Sequence, residues 1–249
     1  MRYVVLTKKQ VITVLSAVLC FVTVTVGSIS VFAHSERLLP IYCVGTDKKQ
    51  VAISFDAAWG NDDTGTLIDI LAKYKVKATF FVVGAWVDKY PESVKQLSDA
   101  GHSVQNHSDT HPHMTKLSTA QMIKEISACN EKIAKITGKT PTLFRPPYGD
   151  YNNSVISAVE SIDMHAIQWD VDSLDWKDTS TAESIANRVV SNAKSGSIIL
   201  MHNDAEHTPE ALPTILEQLT REGYEFVFID DLIYKENYSI DHTGRQILN

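Results

Sequence analysis

Val51-Ala52-Ile53-Ser54-Phe55-Asp56 is a short apolar run that ends on an acid. Its length and its β-branched and aromatic content read as a buried strand. A carboxylate that closes such a strand is costly unless it is paired or functional. A strand-end Asp also serves as an ordinary cap for the following loop, so Asp56 alone leaves both readings open. Similar segments recur at 78–83, 165–169, 197–201 and 226–229, with a shorter one at 103–105. Helical candidates lie between them at 64–74, 91–100, 119–136, 153–161, 181–194 and 209–222. This alternation implies right-handed crossovers and a parallel sheet, an α/β fold. Asp56, His107 and His202 each fall at or just past a strand-like segment, which is where an α/β barrel gathers its site.

With 249 residues and 44% hydrophobic content, the chain suffices for one large globular domain. A formal net charge of −7, scattered along the sequence, supplies no basic footprint and argues against a nucleic-acid partner. Arg2, Lys8 and Lys9 precede a run at 11–32 that has neither charge nor proline. About 20 apolar residues span a bilayer as a helix, and basic residues ahead of them keep the amino terminus in the cytoplasm. The chain thus divides into a cytoplasmic stub and signal anchor (1–33), a tether (34–45), a globular domain (46–234) and a polar surface tail (235–249). A secretory signal cleaved near Val31-Phe32-Ala33 is the alternative, and a buried soluble helix is a third. An anchor or a cleaved signal places the domain outside the cytoplasmic membrane. Cys20 lies in the apolar run, and whether Cys43 and Cys129 pair is not fixed by sequence.

His107 and His111 stand four residues apart, and on one helical turn they would present two imidazoles to a single ion. His102 and His113 flank them, so a solvated His-rich loop competes with a metal site. In Phe144-Arg145-Pro146-Pro147-Tyr148-Gly149 two prolines stiffen what is either an ordinary turn or a rigid binding loop. Asp172-Ser173-Leu174-Asp175-Trp176 and Leu200-Met201-His202 complete the set. Taken singly, Trp176 reads as core and His202 as a satisfied buried histidine.

Together and in this order, these motifs resemble the polysaccharide deacetylases of carbohydrate esterase family 4, the nodulation-protein B homology domain. The resemblance implies a distorted (β/α) barrel with fewer than eight units over about 49–234, preceded here by one transmembrane helix. It implies that Asp56 is the general base, that Arg145 orients it, and that the backbone amide of Tyr148 holds the oxyanion. It further implies that Asp175 keeps His202 protonated as the general acid, while Trp176 and Leu200 wall the acetyl pocket. His107 and His111 would ligate a divalent metal, zinc by preference. Ala57 departs from the pattern, because the family has a second Asp there as a metal ligand. Asn61, Asp62 and Asp63 in the next turn are possible replacements, although Asp63 or Thr64 also suits a helix N-cap.

The implied activity is hydrolytic removal of N-acetyl groups from hexosamines of a cell-wall glycan, peptidoglycan first. One alternative is a glycan-binding homologue, weak or inactive because it lacks the metal Asp. Another is a metal hydrolase of non-glycan amides or esters. Phe55-Asp56-Ala57-Ala58-Trp59-Gly60, with the single anchor, is similar to sporulation-associated deacetylases of Gram-positive bacteria.

Overall fold

The computed structural model describes residues 1, 3, 7–13, 15–16 and 37–249. The chain forms two compact units, Met1–Arg37 and Leu38–Asn249. In the first, residues 8–13 and 15–16 are helical. Most of the apolar run at 11–32, and with it the signal anchor and the alternative cleavage site, lies outside the described residues. Among the described residues, no helix is long and apolar enough to cross a membrane.

The second unit is built on a parallel sheet. Its strands are β2 (Gln50–Ala57), β3 (Thr79–Val82), β4 (Ser103–Asn106), β5 (Leu143–Phe144), β6 (His165–Ala166), β7 (Val171–Asp172) and β8 (Ile198–His202). They run in the order β6-β5-β4-β3-β2-β8-β7, and β9 (Glu225–Phe226) pairs the start of β2. Every pairing is parallel. The sheet curls into a half barrel with helices packed against it, consistent with a distorted (β/α) barrel.

β2 is the central strand, and its two faces do different things. Val51, Ile53, Phe55 and Ala57 belong to the largest apolar cluster, with Leu67 and Leu71 from the helix Thr64–Lys73. Phe55 stacks on Phe80 of β3 at 4.9 Å between ring centroids. With a period of two, Ser54 and Asp56 fall on the opposite face, and both are buried. Register then pairs Asp56 with His202 on one neighbour and with Phe81 on the other.

The helices lie where hydrophobic periodicity puts them: Thr64–Lys73, Pro91–Asp99, Thr119–Thr137, Asn153–Glu160, Ala182–Asn192 and Thr208–Arg221. The longest opens with a capping box, in which Ser118 accepts from the Gln121 amide and the Gln121 side chain accepts from Ser118. The segment at 226–229 is only partly a strand, since β9 ends at Phe226 and a short helix, Ile229–Leu232, begins where the strand was expected to finish.

The outer boundaries differ from those read in the sequence. The supposed tether enters the fold: Ile41, Cys43 and Val44 are buried, Ile41 bridges Ile167 beyond β6, and Cys43 bridges Ser197 just before β8. The supposed tail also folds. β1 (Cys43–Val44), β10 (Tyr238–Ile240) and β11 (Arg245–Leu248) form a second sheet in the order β1-β11-β10. Buried Gln246 accepts from the Tyr234 amide and donates to the Tyr234 carbonyl. Cys43 and Cys129 are free, buried thiols.

Removing residues 1–37 should therefore leave a cooperatively folding domain, whereas removing 1–45 should not leave an equally stable one. Burial of Ile41 and Val44 contributes roughly 1.5–3 kcal/mol each. The shorter chain should melt at least about 5 °C lower by calorimetry; equal midpoints would contradict the placement of this segment in the core.

Candidate active site

Asp56 ends the buried face of β2 and meets Arg145, which lies just past β5. Arg145 is fully buried and donates from Nη1 to Asp56 Oδ1 at 2.7 Å and from Nη2 to Ser54 Oγ at 2.9 Å. Its guanidinium also lies 4.1 Å from the centroid of Phe81 and 5.5 Å from that of Trp169. Burial by itself would raise the pKa of Asp56, but the Arg145 charge and hydrogen bond outweigh it and hold the carboxyl below its ordinary 3.8. Asp56 is thus ionised at neutral pH.

His107 follows β4, and its Nδ1 donates to the Arg145 carbonyl at 2.7 Å. Its Nε2 lies 3.5 Å from Asp56 Oδ2. The His107 and His111 rings stand 5.0 Å apart, so the structure does bring them together, but not on a helical turn. A loop does it: Asn106 Oδ1 accepts from the Ser108 amide, Ser108 Oγ accepts from the His111 amide, and the Glu125 carboxylate accepts from the amides of Asp109 and Thr110. Ser108 and His111 both have left-handed backbones, with φ of 67° and 59°. Burial lowers the pKa of His107 and takes that of His111 down to about 4, leaving both imidazoles neutral.

Neutral imidazoles can ligate a metal, but a catalytic zinc usually takes three protein ligands. Ala57 is packed in the apolar cluster on the other face of β2. Asp62 is exposed, and neither Asp62 nor Asp63 lines the cavity that holds the two histidines. Asp63 sits instead at the N-cap position of Thr64–Lys73 without making a side-chain cap, and burial pushes its pKa up to about 6. Among the described residues, no three His, Cys, Asp or Glu side chains group to hold an ion. A three-ligand zinc centre does not fit this donor set, and Asp62 and Asp63, the possible replacements, stand outside the cavity lining.

His202 ends β8. Its Nδ1 donates to Asp175 Oδ1 at 2.7 Å, and its backbone amide donates to Asp175 Oδ2 at 2.8 Å. Thr208 Oγ1 donates to the same Oδ2 at 2.6 Å. Burial opposes a charge on His202, but the hydrogen bond and charge of Asp175 more than offset it and raise the pKa above the ordinary 6.5. With Nδ1 committed to Asp175, Nε2 is the nitrogen free to exchange a proton with a ligand.

Tyr148 occupies the turn Pro147–Gly149 with φ of 60°, its ring exposed and 4.5 Å from His111. Such strained backbone persists only where the surroundings over-determine it. Of the eight non-glycine residues with positive φ among those described, five (Ser108, His111, Tyr148, Leu174 and Asp204) lie in the loops at this end of the sheet, as expected for a functional rim. A cavity of about 780 Å³ joins Asp56, His107, His111, Tyr148, Asp175 and His202. Leu200 and Trp176 also line it, the first buried and the second exposed.

Sequence reasoning did not single out Ser54, Thr208 or Trp59. Ser54 was readable from the two-residue period that puts it beside Asp56. Thr208 carried no local signal, because the turn after β8 brings it to Asp175.

A parallel half barrel with a charged base, a polarised histidine and a strained loop at the carboxyl ends of its strands defines a hydrolase-type site. The chain belongs to the polysaccharide deacetylase family, whose model matches residues 44–167. It is 33% identical over 204 residues to the peptidoglycan-N-acetylmuramic acid deacetylase PdaA of Bacillus subtilis, covering 81% of this chain and 78% of that one. It is 40% identical over 192 residues to the peptidoglycan-N-acetylglucosamine deacetylase PgdA of Listeria monocytogenes, covering 77% of this chain and 40% of that one. Among solved structures, BA3943 from Bacillus anthracis, described as a CE4 family pseudoenzyme, matches with a TM-score of 0.75 and 35% identity over 79% of this chain and 69% of that one. A mutant of it with restored enzymatic activity matches equally well in TM-score. The chain spans 40% to 63% of the length of the first curated relatives it matches.

Because the Asp175 bond raises the pKa of His202, this pair stabilises the fold fully below the ordinary 6.5 and loses that contribution as pH rises through the raised value. Asp175→Asn removes the charge and leaves burial less opposed. In a histidine-resolved NMR titration, His202 should titrate above 6.5 in the wild type and at a lower pH in the variant. An unshifted His202 would contradict the pairing.

Proposed function

We propose that the protein hydrolyses the N-acetyl amide of hexosamine residues in peptidoglycan, releasing acetate and leaving a free amine. One observation carries this reading: Asp56, bonded to Arg145, and His202, bonded to Asp175, stand in register on adjacent strands and face one cavity. Asp56 takes a proton from water as the water oxygen bonds to the acetyl carbon. The Tyr148 backbone N–H supports the oxyanion of the tetrahedral intermediate. His202 Nε2 donates a proton to the amide nitrogen as the C–N bond breaks. Arg145 keeps the base charged and in place, Asp175 does the same for the acid, and Leu200 with Trp176 receives the methyl group. The relatives' names agree with this chemistry and with a peptidoglycan substrate. The apolar run at 11–32 with basic residues ahead of it supports a location outside the cytoplasmic membrane, tethered by an uncleaved anchor. The form Phe55-Asp56-Ala57-Ala58-Trp59-Gly60 is the basis for a role in sporulation.

A second reading, a glycan-binding homologue with little turnover, is favoured by Ala57 and by the lack of a three-donor group among the described residues. The two readings separate experimentally. Under the first, Asp56→Asn should lower acetate release by roughly 10²–10⁴-fold and also lower the melting point, because Asn still accepts from Arg145 but leaves the buried guanidinium without its counter-charge. A wild type that releases no acetate from peptidoglycan would leave the second.

Ala57→Asp tests the donor set by stability as well as by rate. A carboxylate at this apolar, buried position should lower the melting point of the metal-free protein. A divalent ion bound by the new ligand with His107 and His111 should restore the melting point by mass action and raise turnover. A variant whose melting point does not respond to zinc would show that the loop cannot present the ligand.

A further inference from the structure

Three large aromatic side chains remain more than half exposed around the cavity: Trp59 at 60%, Tyr148 at 61% and Trp176 at 55%. Tyr148 and Trp176 have places in the hydrolysis described above. Trp59 has none, since an indole neither takes nor gives a proton in that chemistry.

Its exposure is nevertheless fixed by the fold. The carbonyl of Gly60 accepts from Trp86 Nε1 and from Asn203 Nδ2, each at 2.7 Å. A Cβ at Gly60 would stand 1.9 Å from an oxygen of the Asp204 carboxylate, so any other residue here would displace that side chain. The turn that holds Trp59 outward is therefore pinned from two directions. The indole meets His111 edge-on at 5.6 Å, His111 meets Tyr148 at 4.5 Å, and Tyr148 stacks on His113 at 4.3 Å with an interplanar angle of 20°. A continuous series of rings follows from Trp59 to His113. In strand order Tyr148 comes after β5 and Trp176 after β7, with Asp56 and His202 on β2 and β8 between them. Aromatic surface thus continues past the reacting centre on both sides.

An exposed, immobilised aromatic face beside a cavity marks a ligand surface. A pyranose ring suits it, because its faces carry C–H bonds with partial positive charge that meet the negative face of an indole, while its hydroxyls stay at the rim in water. The cavity volume of about 780 Å³ falls in the range of roughly 300–1,000 Å³ that accepts drug-sized ligands, more than a single acetylated sugar requires.

We propose that Trp59 stacks on the pyranose ring next to the one being deacetylated and thereby makes the protein selective for glycan chains over single sugars. The inference rests on the deacetylase reading only for the identity of that neighbouring ring.

The test is an NMR titration of the full chain with tetra-N-acetylchitotetraose and with monomeric N-acetylglucosamine, alongside acetate release from the tetrasaccharide. Trp59→Ala should weaken tetrasaccharide binding roughly tenfold and monomer binding by less than about twofold. The rate loss should fall on KM, and Trp59→Phe should recover part of it. Should Trp59→Ala fail to fold, Trp59→Leu, which keeps bulk without a π face, takes its place beside Trp59→Phe. Equal losses for both sugars, an unchanged tetrasaccharide affinity, or a wild type that binds neither would overturn the proposal. Tetrasaccharide binding that depends on Trp59 with no acetate release would support it and overturn the deacetylase reading instead. Acetate release with an unaltered KM in Trp59→Ala would do the reverse.

Discussion

The buried pair of Arg145 and Asp56 is the interaction on which the rest of the site depends. A carboxylate at the end of a core strand is unfavourable by itself, and Arg145, fully buried, would be equally so. Each therefore requires the other, and both require the elements that carry them to keep their register. β2 supplies Asp56 and, two residues earlier, the Ser54 hydroxyl that receives the second guanidinium nitrogen. The rigid loop after β5 supplies Arg145, and its backbone carbonyl fixes the tautomer of His107. Removing one partner would leave an uncompensated charge in the core, which typically costs about 3–5 kcal/mol.

Much of this was legible because the large signals are physical ones. The β2 run, the six longer helices and the strand-end positions of Asp56 and His202 follow from apolar patterning and chain order. β5 and β7 were missed because two-residue strands carry no period, and their pairing is imposed by the neighbouring strands. His107 and His111 converge as their spacing suggested, but through an Asn106, Ser108 and Glu125 hydrogen-bond scaffold that spacing does not reveal. The segment 34–45 reads as a tether and 235–249 as a polar surface tail. Ile41, Val44 and Gln246 become core only because distant strands offer them unpaired edges.

Ala57 is where local sequence and family pattern part. On the apolar face of β2 an alanine packs well, and the neighbouring Asp56 loses nothing by it. What is lost is a donor near the two neutral imidazoles. Asp56 with Arg145, and His202 with Asp175, all remain in bonded geometry, the arrangement that the proposed hydrolysis requires. Among the matching structures, one described as a pseudoenzyme has a mutant described as having restored enzymatic activity.

The ionisation of Asp56 is the most direct test of the account. With its pKa lowered by Arg145, Asp56 stabilises the fold above the ordinary 3.8, and that contribution fades as pH falls through the lowered value. Carbon NMR on protein labelled at the aspartate carboxyl groups would follow this residue, assigned by comparison with Asp56→Asn. The account predicts that the Asp56 signal stays that of a carboxylate below pH 3.8 for as long as the protein is folded. Titration at or above 3.8 in the folded protein would contradict it, because Arg145 would then not be holding the charge that the chemistry requires.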